Sequence, residues 1–353
     1  KDNANKRNMQ RNIGVVKQSN LCIEITNVSK PGYTSQCTLG SINLAMHDTL
    51  KSIAKSTRVM VRALNAVIDK NKWSDEWSAL AGLDQRSLAI GVAGLADFFA
   101  KKKISFESEE AKQWNKDIFE TMYKAAVTES MEMAKEQNRT YPAWDGSPYS
   151  QGETYIPGWS PLPAGEPIPM LNSLLLGLMP TASSAILLGV FESFEPVTSN
   201  LFTRRVGQGE FLVINKHLVN ELSEIGLWDN NIKNKIVANG GSVQMINEIP
   251  DDIKYRYKDV WEIPQKVLLD LSAIRNNYVD QSQSLNVYHS DAKYSKISSA
   301  LMYAWKIGLK SGVYYTRTKS KIENNSKLSS GNTAESLPKK PDNSQFECFG
   351  CSS

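Results

Sequence analysis

The sequence predicts an α/β fold on three observations. Short apolar runs at residues 88–90, 170–179 and 211–214 read as strands. Residues 114–137 read as a long helix, and Val61, Leu64, Val67 and Ile68 fall at helical spacing on a second one. The 353 residues are ample for a large core, built as one big α/β domain or as two smaller ones.

In chain order, a polar, basic opening leads to Ser19-Asn20-Leu21-Cys22-Ile23-Glu24. Pro31-Gly32 marks a turn, and a new apolar element begins at Cys37, so Cys37 returns toward Cys22 across a hairpin-like excursion. The helix through Val61 closes in the loop 71–74. Leu88-Ala89-Ile90, Gly91-Val92-Ala93-Gly94 and Leu95-Ala96-Asp97 then predict strand, turn and helix. That glycine pair fits a phosphate cradle or close backbone packing; with no third glycine and no distal acid, packing is favoured.

The helix at 114–137 carries Ile118, Met122, Ala125 and Met133 on one side, and the Pro-, Gly- and Ser-rich stretch 141–169 reads as loop or irregular surface. After the strand at 170–179, Pro180-Thr181-Ala182-Ser183-Ser184 opens a helix. Its hydroxyls and unpaired N–H groups suit simple capping or an anion such as a diphosphate. Beyond the strand at 211–214, residues 215–260 mix short helices and turns, one helix starting at Pro250-Asp251-Asp252. Helices at 267–274 and 301–309 deliver the chain to Gly312-Val313-Tyr314-Tyr315. After Thr318 the composition is that of a mobile tail, which ends in Cys348-Phe349-Gly350-Cys351.

Composition excludes several classes. Lys and Arg total 41 against 37 Asp and Glu, scattered and not clustered in a basic stripe, so nucleic-acid binding is unsupported. No apolar run is long enough to span a bilayer and no signal peptide opens the chain, which predicts no membrane partner and a cytoplasmic location. Four cysteines are too few for a disulfide scaffold. Three scattered histidines, and a Cys22, Cys37 and His47 spacing that matches no paired framework, predict no metal site.

If residues 19–24 are extended, alternation puts Asn20, Cys22 and Glu24 on one face and Leu21, Ile23 and Ile25 on the other. A thiol can lose a hydrogen atom to become a thiyl radical, and a carboxylate two residues along can take a proton from a hydroxyl, a pairing suited to radical chemistry on a sugar. Alone, the hexapeptide fits a small buried cysteine better. Likewise Tyr314 and Tyr315 alone read as one core ring and one surface ring. The terminal Cys-x-x-Cys is a weak zinc signal and a good dithiol.

Taken together, residues 19–24, Pro180-Thr181-Ala182-Ser183-Ser184, Tyr314-Tyr315 and the terminal Cys-x-x-Cys resemble the large, catalytic subunit of class I ribonucleotide reductase. Three further blocks carry the resemblance: Arg86-Ser87-Leu88-Ala89-Ile90-Gly91-Val92, Ser199-Asn200-Leu201-Phe202-Thr203-Arg204-Arg205 and Asp280-Gln281-Ser282-Gln283-Ser284-Leu285-Asn286. The resemblance implies the C-terminal half of a ten-stranded α/β barrel over 1–317, with surrounding helices and a loop carrying Cys22 into the centre. A flexible redox tail follows over 318–353. Lys1 matches interior family sequence, so the expectation is the C-terminal portion of a split or truncated chain.

By the same resemblance, Cys22 becomes a thiyl on a radical relayed through Tyr315 and Tyr314, Glu24 takes the 3′-hydroxyl proton, and Asn20 holds the substrate. Pro180, Thr181, Ala182, Ser183 and Ser184 match the loop that holds the substrate diphosphate, although Ala182 stands where some members carry an acid. Cys37 and a partner cysteine reduce the intermediate, and Cys348 with Cys351 re-reduces them. The implied substrate is a ribonucleoside diphosphate. The implied partners are a complementary N-terminal large-subunit chain, a metal-containing small subunit that generates the radical, and a thioredoxin- or glutaredoxin-type reductant. This chain itself is expected to bind no cofactor. Two other readings stand beside this one: a thiol–disulfide oxidoreductase working through Cys348 and Cys351, and a non-catalytic assembly fragment.

Overall fold

The computed structural model describes residues 1–206, 209–291 and 293–319. After a short helix α1 (Asp2–Lys6), four parallel strand-like segments form the centre. The first is β1 (Leu39–Asn43), which pairs in parallel with β2 (Ala89–Ala93) in the register Leu39 to Ala89 through Asn43 to Ala93. The extended segment 174–179 lies on the other edge of β2, with Leu88 and Ile90 N–H donating to the Leu174 and Leu175 carbonyls, both at 2.9 Å. Segment 281–284 continues the row: Gln281 N donates to Leu176 O (3.0 Å) and Leu178 N to Ser282 O (3.0 Å).

Parallel neighbours require long crossovers, and helices supply them here. Between β1 and β2 run α2 (Leu50–Lys70) and α3 (Glu76–Gln85). Between β2 and 174–179 run α4 (Leu95–Lys101) and α5 (Glu109–Glu136), and further on α6 (Ala182–Leu188) leaves the third segment. Every residue of β2 is buried, as in a strand covered on both faces, which is why it reads as one apolar run without alternation. Gly91 has no room for a side chain: a Cβ would sit 2.9 Å from Met179 Sδ and 3.1 Å from the Gly177 carbonyl. Close packing therefore accounts for this glycine.

The remaining elements surround the row. An antiparallel hairpin, β3 (Leu201–Val206) and β4 (Gly209–Ile214), leads to α7 (Lys216–Glu224), α8 (Asn230–Ala238) and α9 (Asp251–Arg256). These three helices share a smaller core of Leu218, Leu222, Ile232, Ile236 and Ile253. Then α10 (Gln265–Arg275) packs on α5, where Asn115 Nδ2 donates to Leu271 O (3.0 Å) and accepts from Arg275 Nη1 (2.9 Å) through Oδ1. The chain closes with β5 (Val287–His289), α11 (Tyr294–Lys306) and β6 (Thr316–Thr318), β6 lying parallel to β5.

Several details differ from the sequence reading. Val67 is exposed, because α2 buries Val61, Leu64 and Ile68 on a face that turns away from it. The stretch 141–169 is irregular, with two single 3₁₀ turns, yet it is not simply surface. Tyr141, Tyr149 and Tyr155 are fully buried, and the Tyr155 hydroxyl donates to Asn276 O (2.8 Å). The last helix spans Tyr294–Lys306, ahead of the 301–309 window.

Candidate active site

Residues 24–28 lie across the strand row and are held there by side chains from all over the chain. Gln10 Oε1 accepts from Val28 N (2.8 Å), Gln281 Oε1 accepts from Thr26 N (3.3 Å), and Ser282 N donates to Glu24 O (2.8 Å). Gly177 makes the close approach possible: a Cβ there would lie 3.0 Å from Ala89 Cβ and 3.4 Å from Glu24 O. These anchors aim the preceding tip, residues 20–25, at a fixed point beside the row.

The tip is a turn and not the extended segment that the alternation predicts. Ile23 N donates to Asn20 O (3.1 Å), Asn20 N to Ile25 O (3.3 Å), and Ile23 takes φ +64°. A β-branched residue in the left-handed region is strained by roughly 1–3 kcal/mol and persists only where its surroundings hold it. Here Asn20 Oδ1 accepts from Ile25 N (3.1 Å), and the Ser284 hydroxyl bonds both the Cys22 carbonyl and Glu24 Oε2 (3.2 Å). Asn20, Cys22 and Glu24 still meet, by the turn and not by strand alternation.

Glu24 is buried, and desolvation raises its carboxyl above the ordinary range while hydrogen bonds from Asn20 and Ser284 pull the other way. Across the hairpin-like excursion, Asn20 Nδ2 lies 3.9 Å from Cys37 Sγ. Cys37 sits at the rim, open to water on one side. Desolvation on the protein side, then the nearby Glu24 carboxylate and Cys22, push its thiol up to about 11.

The tyrosine pair approaches from β5 and β6. Tyr314 OH points at Cys22 Sγ, 3.5 Å away, and the Tyr315 ring lies behind it with centroids 4.2 Å apart and planes at 50°. Desolvation raises the Tyr314 phenol well above its usual value, and its bond to Cys22 adds to the shift. Backbone bonds fix both residues: Tyr314 N to Leu285 O (2.6 Å) and Val287 N to Tyr315 O (2.9 Å). Just upstream, buried Lys310 donates to the carbonyls of Val279, Asp280 and Gln281, tying this segment to the strand row.

Thr181 caps α6, but its hydroxyl is engaged: Thr181 Oγ1 accepts from Ser193 N (2.7 Å). Ala182, Ser183 and Ser184 are exposed on the first turn, where backbone N–H groups have no partner within the helix. Cys348 and Cys351 lie outside the described residues, and the side chains of Arg204 and Arg205 are likewise not described. Among the described residues no group of three or more His, Cys, Asp or Glu side chains could hold a metal ion. No described helix is long and apolar enough to cross a membrane. Sequence reasoning missed Ser284, whose signal lay in the Asp280-to-Asn286 block without a role attached.

The model of the ribonucleotide reductase barrel domain matches residues 1–315. The chain belongs to that family. It is 42% identical to the ribonucleoside-diphosphate reductase large subunit of Caenorhabditis elegans over 336 residues, 90% of this chain and 42% of that protein. The large subunits of Danio rerio and Vaccinia virus are each 43% identical over 336 residues, again 90% of this chain and 43% or less of theirs. In structure it is similar to the class Id ribonucleotide reductase alpha subunit of Actinobacillus ureae, with TM-score 0.76 and 28% identity over 91% of this chain and 57% of that one. The chain thus spans less than half the length of these curated relatives. Its row of parallel segments belongs to that barrel fold, and among the described residues the sheet does not close.

Proposed function

We propose that the chain reduces ribonucleoside diphosphates at the 2′ carbon by thiyl-radical chemistry, as the C-terminal part of a ribonucleotide reductase large subunit. One observation carries the reading: Tyr314 OH stands 3.5 Å from Cys22 Sγ with the Tyr315 ring packed behind it at a tilt and Glu24 buried nearby. A phenol can give up a proton and an electron together, so the pair is a route for an electron hole to one sulfur.

In this mechanism the Cys22 thiyl takes the 3′ hydrogen atom and becomes a thiol, while Glu24 accepts the 3′-hydroxyl proton. Asn20 orients the sugar. The 2′ oxygen leaves as water. Cys37, which holds its proton at neutral pH, and a partner cysteine together give two electrons and two protons, one to the leaving water and one to C2′, and become a disulfide. Cys22 then returns its hydrogen atom to C3′, which regenerates the thiyl, and Glu24 returns its proton to the 3′ oxygen. The stretch Pro180-Thr181-Ala182-Ser183-Ser184, which leads into α6, receives the diphosphate, with the backbone N–H groups after the proline as donors.

The remaining parts of the reading are supplied from elsewhere. Cys348 and Cys351 reopen the disulfide and are reset by a thioredoxin- or glutaredoxin-type protein. A metal-containing small subunit delivers the radical to Tyr315. The rest of the barrel and the partner of Cys37 come from a complementary N-terminal polypeptide, and the assembly works in the cytoplasm. Without these, the chain is inactive.

The test is conversion of a ribonucleoside diphosphate by the complete set and with each component omitted, using substrate deuterated at C3′ in a parallel run. The reading expects turnover from the complete set alone, slowed by deuterium under single-turnover conditions. Turnover by the lone chain overturns the partner requirement, and no turnover from the complete set overturns the function.

A further inference from the structure

We propose that Glu195 is a positioning residue for the tyrosine pair: acting through Asn286, it fixes the backbone at Tyr315 and with it the spacing of the two rings. The inference rests on the relay reading of Tyr314 and Tyr315. Glu195 follows α6 by seven residues and touches neither ring in the hydrogen-bond pattern. Its Oε1 accepts from Asn286 Nδ2 (2.6 Å) and Asn286 N (3.3 Å), and its Oε2 accepts from the Tyr288 hydroxyl. Asn286 in turn presents Oδ1 to Tyr315 N at 3.1 Å. The three residues of this chain of bonds, Glu195, Asn286 and Tyr288, are all buried.

The direction of this chain of bonds is set by chemistry. An ionised carboxylate can only accept, so Asn286 must turn its NH₂ toward Glu195, which leaves its carbonyl oxygen for the Tyr315 amide. A flipped Asn286 would set two oxygens against each other at Glu195 and two donors against each other at Tyr315. The amide bond to Asn286 also lies where β5 meets β6, so releasing it leaves the Tyr315 backbone held there by the Val287 N to Tyr315 O bond alone and loosens the ring it carries. On the outer side, the Arg317 guanidinium stands over that ring, 5.0 Å from its centroid.

Desolvation raises the Glu195 carboxyl to about 7, with repulsion from Glu192 adding to it and the bonds from Tyr288 and Asn286 opposing it. Arg275 is the buried cation that faces it, and Arg317 faces Glu192 and Tyr288. Protonation need not open the clamp. A proton on Oε2 is donated to the Tyr288 hydroxyl, and Oε1 still accepts from Asn286. A glutamine, with its NH₂ in place of Oε2, reproduces the same pattern.

The experiment compares Glu195→Ala, Asn286→Ala and Glu195→Gln in the complete complex, with amide hydrogen exchange of residues 314–318 measured in the chain itself. Both alanine variants should lose about 10²-fold in kcat, as a misplacement of about 1 Å can cost. KM for the diphosphate should stay within about twofold, because the loss lies in the relay and not in binding. Glu195→Gln should recover most of kcat. Exchange at 314–318 should rise in the alanine variants only, with β2 unchanged as the control for global unfolding. The inference is overturned if kcat survives in both alanine variants, if glutamine fares no better than alanine, or if exchange at Tyr315 does not respond. Should the wild-type complex fail to turn over, the relay reading falls, and the exchange measurement still decides whether the clamp exists.

Discussion

The strand β2 and the tip at residues 20–25 lie close together in space and are built on opposite principles. In β2 every residue is buried and either apolar or glycine, and the strand has bonded neighbours on both sides. The tip closes on itself, carries a β-branched residue at φ +64°, and is held from outside by Ser282 and Ser284. The difference teaches where each kind of energy goes. Apolar burial fixes the platform, and a strained turn held by polar bonds fixes the Cys22 sulfur beside it.

Altering the sulfur attacks the tip at its sharpest point. Cys22→Ser should reduce turnover to background while leaving the melting temperature nearly unchanged, read by nucleotide reduction and thermal unfolding side by side. Next comes the base: Glu24→Gln should cost about 10²- to 10⁴-fold in turnover, the usual worth of a positioned proton acceptor. The pH profile sharpens this. Because desolvation raises the Glu24 pKa, the base form is lost earlier on acidification than an ordinary carboxylate would lose it. Wild-type activity should therefore fall along an acid limb displaced upward from 4.5, and the residual activity of the Gln variant should lack that limb.

On the platform side, Ile90→Ala should cost about 2–5 kcal/mol of stability, the range for a truncated core aliphatic, measured by denaturant unfolding. Its effect on activity should follow from lost protein and not from altered chemistry. The smallest effect belongs to the strained turn. Ile23→Asn relieves the left-handed penalty and should leave stability unchanged or raise it by about 1 kcal/mol. A large loss there would mean that the Ile23 side chain, and not the backbone, holds the tip.

The same contrast explains what the sequence revealed. The apolar runs at 88–90 and 170–179 were legible as strand because a segment buried on both faces needs a continuous apolar run, but β2 runs on through Ala93, where the glycines read as a turn. An amide, a thiol and a carboxylate at every second position singled out the tip residues, but the chemistry proposed for them came from the resemblance carried by the other blocks. Their conformation was not legible, because bonds from Ser284 and Ser282, some 260 residues away, override the extended reading. Burial of Tyr141, Tyr149 and Tyr155 escaped for a related reason: proline and glycine announce irregular backbone but say nothing of exposure. The Glu195 to Asn286 contact, 91 residues apart in the chain, has no local signature at all.

The most direct measurement removes one oxygen atom. Tyr314→Phe keeps the ring that packs on Tyr315 and deletes the hydroxyl 3.5 Å from Cys22 Sγ. In the complete complex the relay predicts turnover at background with diphosphate binding intact. Retention of turnover near the wild-type level would contradict it.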